Sequence, residues 1–369
     1  MIRLSKSSIG AEEVAAVSKV LQEEYLGMGK YVELFENELS KYLDNNVVCV
    51  SSGTAALHLA LQALNICKGD EVIVQSLTYV ASFQAISAVG ATPIPCDINL
   101  DTFSIDTNDL QRKITKKTKA IMLVHYSGKA TSLERVYEIA DENNIRVVED
   151  AAHAFGSTYN GRKIGSFGDV ICFSFDGIKN ITSGEGGCIA SSDKKIIASI
   201  ENLRLLGVEN DTISRYKGTR SWHFDVKEQG WRYHMSNIMA AIGIEQLKKL
   251  EKFKARRRDI ARKYINGLKG NSHIRKYTEI SSGVMPHIFF IVLESGIDRD
   301  EIRNFLKKKS IETGVHYYPN HLLTLYNSNQ ILPTTEEVFD SLITLPLHVD
   351  LTNEEVEYVV HCLDQALSN

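Results

Sequence analysis

The sequence predicts an α/β protein, with a mostly parallel sheet in a larger first domain and a smaller C-terminal α+β domain. Two features of the chain lead to this prediction. From residue 47 onward, short β-rich runs, small-residue turns and amphipathic segments follow one another repeatedly, as in parallel strands joined by helices. Beyond Gly230 this alternation gives way to longer segments with helical spacing. We therefore expect a domain of residues 1–240 followed by one of residues 241–369.

The strands and helices can be assigned in order along the chain. The first repeat is an apolar run at residues 47–50, a turn at 51–54 and a helix with Leu57, Leu61 and Leu64 on one face. Further strands of the larger domain are predicted at residues 71–77, 120–124, 145–149, 169–175 and 188–191, and helices at 81–89 and 133–143. The smaller domain is predicted to contain a long helix at 236–268, a strand at 287–293 and helices at 299–309 and 353–367. Ligands of such sheets bind beyond the carboxyl ends of the strands, so residues that follow the strands are candidates for a functional site.

The composition is that of an ordinary globular protein. The 369 residues are 43% hydrophobic and 24% charged, which excludes a disordered or fibrous chain. The net charge of -4 provides no basic field for nucleic acid, and the basic run at residues 248–258 is interspersed with acids, as on a solvated helix face. The six cysteines form no C-x-x-C pair, so we predict neither a disulfide framework nor a metal site. We find neither a secretory signal nor an apolar stretch long enough to span a membrane, and we expect a cytoplasmic protein.

The first candidate motif is the turn between the first strand and its helix, residues 51–56 (SSGTAA). Gly53 allows the backbone to approach a ligand closely. The first N–H groups of the helix, with the hydroxyl of Ser52 or Thr54, suit a phosphate. Taken alone, the motif is more often an ordinary helix cap than an anion site.

The second candidate is Asp150, at the end of a predicted strand and before Ala151 and Ala152. A carboxylate at that edge can reach into a ligand crevice, and His153 follows one helical turn later. A helix cap explains Asp150 equally well, and a hydrogen-bonded core histidine explains His153 equally well.

The third candidate is Lys179, which lies among apolar and small residues just past the strand predicted at 169–175. Burial disfavours the charged form of a lysine, and the neutral amine is the form that attacks a carbonyl in Schiff-base chemistry. Ser174 could supply a second hydroxyl to a phosphate. The alternative is an exposed lysine in a loop.

Together these three motifs are the parts that a pyridoxal 5'-phosphate (PLP) enzyme needs. A phosphate cradle holds the cofactor, a carboxylate keeps its pyridine nitrogen protonated, and a lysine forms the covalent bond and then moves protons.

The chain resembles the nucleotide-sugar aminotransferases of the DegT/StrS type, a branch of the fold-type I PLP enzymes. The resemblance rests on residues 148–154 (VEDAAHA), 161–169 (GRKIGSFGD), 172–187, 230–250 (GWRYHMSNIMAAIGIEQLKKL) and 314–321 (GVHYYPNH). It runs nearly end to end, from about Ser5 to Leu367. It implies that the larger domain is similar to that of the fold-type I aminotransferases.

The resemblance also implies roles for particular residues. The Schiff-base lysine would be Lys179, and Asp150 would pair with the pyridine nitrogen. His153 would lie near the phenolic oxygen of the cofactor, and Tyr79 would stack on the pyridine ring. The phosphate would be held by Gly53, Thr54 and Ser174. His316, Tyr317 and His321 would lie on the substrate side.

Members of this family are homodimers whose sites take phosphate contacts from the partner, so the resemblance implies a homodimer here. The segment at residues 232–237 would supply those contacts. It departs from the commoner form GYNYRM, because Arg232 and His234 stand where that form has Asn and Arg.

The reaction implied is a transamination in two halves, from glutamate to a keto sugar carried on a nucleotide, with pyridoxamine 5'-phosphate as the intermediate form of the cofactor. The sequence GEGG at residues 184–187 is similar to members that aminate C4 of a 4-keto-6-deoxyhexose, and amination at C3 is the alternative. Related dehydratases have histidine in place of the lysine, so the presence of Lys179 argues that the chain is not a member of that class. The alternative from another class is a non-catalytic regulatory protein on the same fold.

Overall fold

A computed structural model of the chain describes residues 1–219, 223–327 and 329–368. The strands are, in chain order, β1 (Asn46–Val50), β2 (Glu71–Gln75), β3 (Thr92–Cys96), β4 (Thr118–Val124), β5 (Arg146–Asp150), β6 (Thr158–Tyr159), β7 (Arg162–Lys163), β8 (Val170–Ser174), β9 (Gly187–Ser191), β10 (Ile274–Tyr277), β11 (Phe289–Leu293) and β12 (Leu342–Leu345). The helices are α1 (Ala11–Gln22), α2 (Lys30–Leu43), α3 (Gly53–Ala63), α4 (Ala81–Ala88), α5 (Thr107–Lys113), α6 (Leu133–Asn143), α7 (Lys194–Leu203), α8 (Asp211–Tyr216), α9 (Asn237–Lys248), α10 (Leu250–Leu268), α11 (Arg299–Lys308), α12 (Pro333–Ser341) and α13 (Asn353–Ser368).

The larger sheet has seven strands in the order β1-β9-β8-β5-β4-β2-β3. Neighbouring strands from β8 to β3 are parallel, whereas β9 is antiparallel to both β8 and β1. All strands other than β9 therefore run in one direction, and their carboxyl ends meet at one edge of the sheet. The prediction of an α/β protein with a mostly parallel sheet is confirmed.

Helices cover both faces of this sheet because its strands are apolar on both sides. In strand β1, successive side chains point to opposite faces of the sheet. Cys49 belongs to the buried cluster that contains Phe35 of α2, whereas Val48 belongs to the cluster that contains Leu59 of α3. A layer of helices therefore lies on each side of the sheet, as the sequence indicated.

The smaller sheet is antiparallel, with the order β10-β11-β12. One face of β11 packs on helices: Ile291 lies in the same buried cluster as Tyr264 of α10. The other face packs on the larger domain, where the rings of Phe290 and Phe103 have centroids 4.4 Å apart. The smaller domain is therefore joined to the larger one through a common apolar core.

The structure differs from the predicted elements at several points. The helix predicted at 236–268 is two helices that meet at Lys249, and the predicted domain boundary falls inside α9, which packs on α1 and α2. Neither Gly nor Pro marks this break. Instead, Lys249 forms ion pairs with Glu12 and Glu13 of α1, at 3.0 and 2.7 Å. The break therefore coincides with a tertiary contact.

Strand β3 was not predicted, because it carries Pro93 and Pro95. Proline cannot donate to a neighbouring strand and is confined to sheet edges. Strand β3 pairs with β2 alone, at the end of the sheet, so its prolines remove no hydrogen bond between strands. Helices α1 and α2 and strands β10 and β12 were also not predicted. No helix within the described residues has both the length and the apolar composition that crossing a bilayer requires.

Asp97, just after β3, caps a helix that is distant in sequence. Its buried carboxylate accepts hydrogen bonds from the backbone N–H of Thr334 (3.1 Å) and of Thr335 (2.8 Å) and from the Thr335 hydroxyl (2.7 Å). These groups lie in the first turn of α12. Asp97 thereby ties α12 to the edge of the larger sheet.

We expect Asp97→Ala to lower the free energy of unfolding by about 2 kcal/mol, because a helix cap and buried donors are lost together. Urea denaturation measures this loss. The matched control is Asp193→Ala, which removes an exposed cap with one backbone bond, to Lys195 at 2.8 Å. An equal loss in the two variants would contradict the tertiary role of Asp97.

Candidate active site

A cavity of about 590 Å³ opens at the carboxyl edge of the larger sheet. Its walls come from the turns after β1, β2, β5 and β8 and from a segment of the smaller domain between α11 and α12. The predicted site residues that line it are Gly53, Thr54, Tyr79, Asp150, His153, Ser174, Lys179, His316 and Tyr317. The structure thus brings together residues from both predicted domains around one space.

The turn before α3 forms one wall and is suited to an anion. Ser52 caps the helix, and its Oγ accepts a hydrogen bond from the backbone N–H of Ala55 at 3.1 Å. Gly53 packs so closely on β8 that a Cβ there would lie 2.8 Å from the Cβ of Ser174. Glycine at this position therefore keeps the helix terminus beside the hydroxyls of Thr54 and Ser174. This is the arrangement that a phosphate group requires.

Asp150 ends β5 with its carboxylate in the same cavity and only 6% of its surface exposed. Two donors hold the carboxylate in place. The Ser82 hydroxyl donates to Oδ2 at 2.7 Å, and the Ala152 N–H donates to Oδ1 at 3.2 Å. The Asp150 carboxylate is therefore held in one orientation by hydrogen bonds, and it is more than an ordinary helix cap.

Lys179 lies in the loop that follows β8, half-buried in the cavity wall. Burial lowers the pKa of its amine, while Asp150 and Asp176 act in the opposite direction. Because a lower pKa makes the neutral amine available at lower pH, Lys179 is suited to act as a nucleophile and a base. The alternative of an ordinary exposed lysine is excluded by this position.

His153 and Tyr317 form a contact between the two domains. The Tyr317 Oη lies 2.9 Å from Nε2 of His153, and the rings of His153 and His287 contact each other at a tilt of 41°, with centroids 4.3 Å apart. Burial, with smaller contributions from Lys179 and His316, holds the pKa of His153 well below its usual range. His153 is therefore neutral near pH 7, and its ring has one donor and one acceptor nitrogen.

His316 lines the cavity and also contacts the smaller sheet, since its Nδ1 lies 2.9 Å from Oγ1 of Thr344. Burial and Lys179 lower the pKa of His316 to about 4, so it too is neutral. Tyr79 is 58% exposed at the cavity mouth, with its ring centroid 5.6 Å from that of Tyr317.

His321 does not line the cavity. Its ring nitrogens lie 2.7 Å from Oγ of Ser76 and 3.0 Å from Oε1 of Glu336, and the side chain is buried. This histidine connects the end of β2 to α12, and the structure does not bring it into the cavity with His316 and Tyr317.

Arg232 and His234 also lie outside the cavity lining. Their segment runs beside the end of β1, where His234 pairs with Val50 through a β-bridge. Burial, followed by the charges of Arg215 and Arg232, lowers the pKa of His234 to about 4. Within one chain the segment lies beside the strand that leads into the anion-binding turn, and neither of these two residues lines the cavity.

Several residues of the site were not predicted from the sequence. Asp176 and Glu185 line the cavity, while Ser82 and His287 contact residues that do. Asp176 could have been noticed, since it follows the same strand as Lys179. Within the described ranges, no group of three or more His, Cys, Asp or Glu side chains is arranged to hold a metal ion.

The fold and the site together define a class of enzyme. A half-buried lysine amine, a carboxylate at a neighbouring strand end and an anion-binding helix terminus share one cavity large enough for a cofactor and part of a substrate. These are the groups that a PLP enzyme of fold type I requires. The residues present therefore fit PLP.

The chain belongs to the DegT/DnrJ/EryC1/StrS aminotransferase family, whose model matches residues 7–364. It is 38% identical to GDP-perosamine synthase from Escherichia coli O157:H7, over 100% of this chain and 99% of that protein. Among solved structures, a provisionally assigned sugar aminotransferase from Streptococcus pneumoniae in its PMP-form has a TM-score of 0.94 and 32% identity, over 100% of this chain and 99% of the other. PseC from Helicobacter pylori, an aminotransferase of pseudoaminic acid biosynthesis, has a TM-score of 0.93 and 27% identity, over 100% and 99% of the two chains.

These comparisons confirm the resemblance, the fold and the enzyme class that the sequence predicted. The pneumococcal protein has also been solved in a PLP-form, with a TM-score of 0.92 and 32% identity over 100% of this chain and 98% of the other. The chain is an aminotransferase that depends on PLP. The alternative of a non-catalytic regulatory protein is therefore excluded.

We expect Gly53→Ala to weaken the affinity for PLP about tenfold or more, because overpacking of a tight contact costs roughly 1–3 kcal/mol. The new Cβ would lie 3.3 Å from the Cα of Ser174, which belongs to a central strand and cannot move freely. Titration of the cofactor-free protein with PLP, followed by visible absorbance, measures the affinity. The control is Gly27→Ala, where no atom lies within 4 Å of the added Cβ. Unchanged affinity in Gly53→Ala would show that this turn does not hold the phosphate.

Proposed function

We propose that the protein transfers the amino group of glutamate to C4 of a 4-keto-6-deoxyhexose carried on a nucleotide, and so makes a nucleotide-linked amino sugar. The observation that supports this most directly is the amine of Lys179, which lies in the cavity with a lowered pKa and near the carboxylates of Asp150 and Asp176. A neutral amine in that position can bond to an aldehyde and can carry a proton.

The side chains around the cavity would each have a separate role in transamination. The turn at Ser52, Gly53 and Thr54, with Ser174, would hold the phosphate of PLP. When bound, PLP supplies a ring that accepts the electron pair left by a breaking C–H bond. Asp150 would accept a hydrogen bond from the protonated ring nitrogen and so keep it protonated, and a neutral His153 would lie at the phenolic oxygen.

Lys179 is the group we assign to proton transfer. Once its amine is free, Nζ would carry out the 1,3-proton shift: it would take the proton from the amino-bearing carbon of the donor and deliver it to the carbon at the other end of the shift. Its lowered pKa favours this role, because a base must be unprotonated to accept a proton near neutral pH. Closure of the wall by Tyr317 would keep water from that position.

Two observations support the sugar and the position of amination. The relative named GDP-perosamine synthase acts in making a sugar carried on a nucleotide, and it matches the whole of this chain. The sequence GEGG at residues 184–187 is similar to members that aminate C4, and Glu185 of this motif lines the cavity. The carboxyl group of Glu185 is therefore in a position to contact a substrate.

The test is a panel of 4-keto and 3-keto nucleotide sugars on GDP, UDP and dTDP, each incubated with the PLP-loaded enzyme and nitrogen-labelled glutamate. We expect label in a 4-amino-6-deoxyhexose, detected by mass spectrometry. Lys179→Ala should bind PLP without a covalent bond and lose turnover by orders of magnitude. Label in 3-amino products alone would replace the assignment by C3 amination, and near wild-type turnover in Lys179→Ala would end it.

The charges of the cavity support a homodimer with shared sites. Among the described residues that line it, the carboxyl groups are Asp150, Asp176 and Glu185, whereas the basic groups are Lys179, whose pKa is lowered, and two histidines that are neutral near pH 7. The cofactor phosphate, glutamate and a nucleotide sugar are all anions. Cationic groups from outside this wall are needed to balance them, and Arg232 of the partner subunit is our candidate.

A hybrid dimer tests this assembly. Lys179→Ala and Arg232→Ala chains, co-expressed with different tags and purified through both tags, should have about half the wild-type activity, because one of the two sites keeps both groups. Each variant alone should be strongly impaired, and light scattering should report a dimer. An inactive hybrid would show that Arg232 serves its own subunit, and a fully active Arg232→Ala enzyme would remove it from the site.

A further inference from the structure

Ser82 contacts the carboxylate of Asp150, and no sequence motif pointed to it as a functional residue. It is the second residue of α4 and is fully buried, with 0% of its surface exposed. Its Oγ lies 2.7 Å from Oδ2 of Asp150, which follows it by 68 residues. Because a carboxylate only accepts, the Ser82 hydroxyl is the donor.

A second hydroxyl continues this chain of hydrogen bonds. Oγ1 of Thr78 lies 3.1 Å from Oγ of Ser82, and the single hydroxyl proton of Ser82 is already given to Asp150. Thr78 is therefore the donor to Ser82. The backbone carbonyl of Thr78 accepts a bond of 2.7 Å from Nδ2 of Asn320, which fixes this end of the chain to the loop before α12.

The behaviour of Ser82 differs from that of other serines at helix starts or within helices. Ser52 accepts from an N–H of its own helix, and Ser87, also on α4, donates to the carbonyl of Phe83 four residues earlier at 3.2 Å. Such local bonds are the usual way in which a serine in a helix is satisfied. Ser82 makes neither and directs its hydroxyl across to the end of β5.

We propose that Ser82 is a positioning residue for the reaction, which holds the Asp150 carboxylate in the orientation that meets the ring nitrogen of the cofactor. The proposal rests on the proposed function, in which Asp150 accepts a hydrogen bond from that nitrogen and keeps it protonated. Of the two oxygens, Oδ1 is held by the N–H of Ala152 at 3.2 Å, a longer bond than that from Ser82. Without Ser82, the carboxylate keeps only this weaker bond and can turn away from the ring.

The primary test compares Ser82→Ala, Ser82→Thr and the control Ser87→Ala. We expect Ser82→Ala to weaken PLP binding and slow the half-reaction with glutamate by roughly tenfold, about the factor that a hydrogen bond to a charged group is worth. The visible absorption band of the bound cofactor should also change its dependence on pH, because the ring nitrogen has lost a fixed partner. Ser82→Thr keeps the hydroxyl and should recover most of both signals, while Ser87→Ala should match the wild type.

A double-mutant cycle shows whether Ser82 acts through Asp150. In the Asp150→Asn background, Ser82→Ala should cause no further loss of PLP affinity and no further spectral change, because the group that it orients has already been altered. Thermal unfolding of the cofactor-free variants checks that the fold is intact. If the two substitutions act additively, or if Ser82→Ala alone has wild-type affinity, spectrum and rate, the inference about Ser82 is wrong.

The same measurements separate this inference from the proposed function. If Asp150→Asn lowers PLP affinity and alters the spectrum while Ser82→Ala does neither, only the role of Ser82 is rejected. If Asp150→Asn leaves both at the wild-type level, the role proposed for Asp150 fails, and the role of Ser82 fails with it.

Discussion

The candidate site depends on keeping one amine, that of Lys179, away from bulk water. Burial of an ammonium group is unfavourable, and the charges of Asp150 and Asp176 offset only part of that cost. The amine therefore has a lowered pKa and a fixed place in the cavity wall. The fold meets this constraint by fixing both ends of the lysine loop to neighbouring strands of the larger sheet, β8 and β9.

The smaller domain completes the environment of this amine. Because β11 is apolar on both faces, it can pack on its own helices and on the larger domain at once. The segment with His316 and Tyr317 is thereby held over the carboxyl edge of the larger sheet, where Tyr317 meets His153. The two domains therefore meet at the site itself, and the cavity exists only with both in place.

Sequence analysis predicted the site residues whose position follows from the end of a strand. It did not predict the position of residues that are placed by a contact distant in the chain. Asp150 ends β5, and Gly53 and Lys179 lie in the turns that follow β1 and β8, so their convergence at the carboxyl edge follows from the fold class. His321 shares a motif with His316 and Tyr317, but the chain turns into a short 3-10 helix at Asn320–Leu322, which sends its ring to Ser76 and not to the cavity. No local pattern indicates that turn. Ser82 is likewise defined by a partner far along the chain, and the prolines of β3 are tolerated only because that strand lies at an edge.

The antiparallel strand β9 explains why the anion-binding turn and the loop that carries Lys179 are neighbours. Its first residue, Gly187, pairs with Val50 at the end of β1 and with Ser174 at the end of β8. A Cβ at Gly187 would lie 2.7 Å from the carbonyl oxygen of Ser52 and 2.6 Å from that of Phe173. A larger residue would therefore push apart the two walls that face the cofactor. A parallel strand in this position would begin at the opposite edge of the sheet, and the chain could not pass from β8 to β9 through a loop that carries Lys179 past the anion-binding turn.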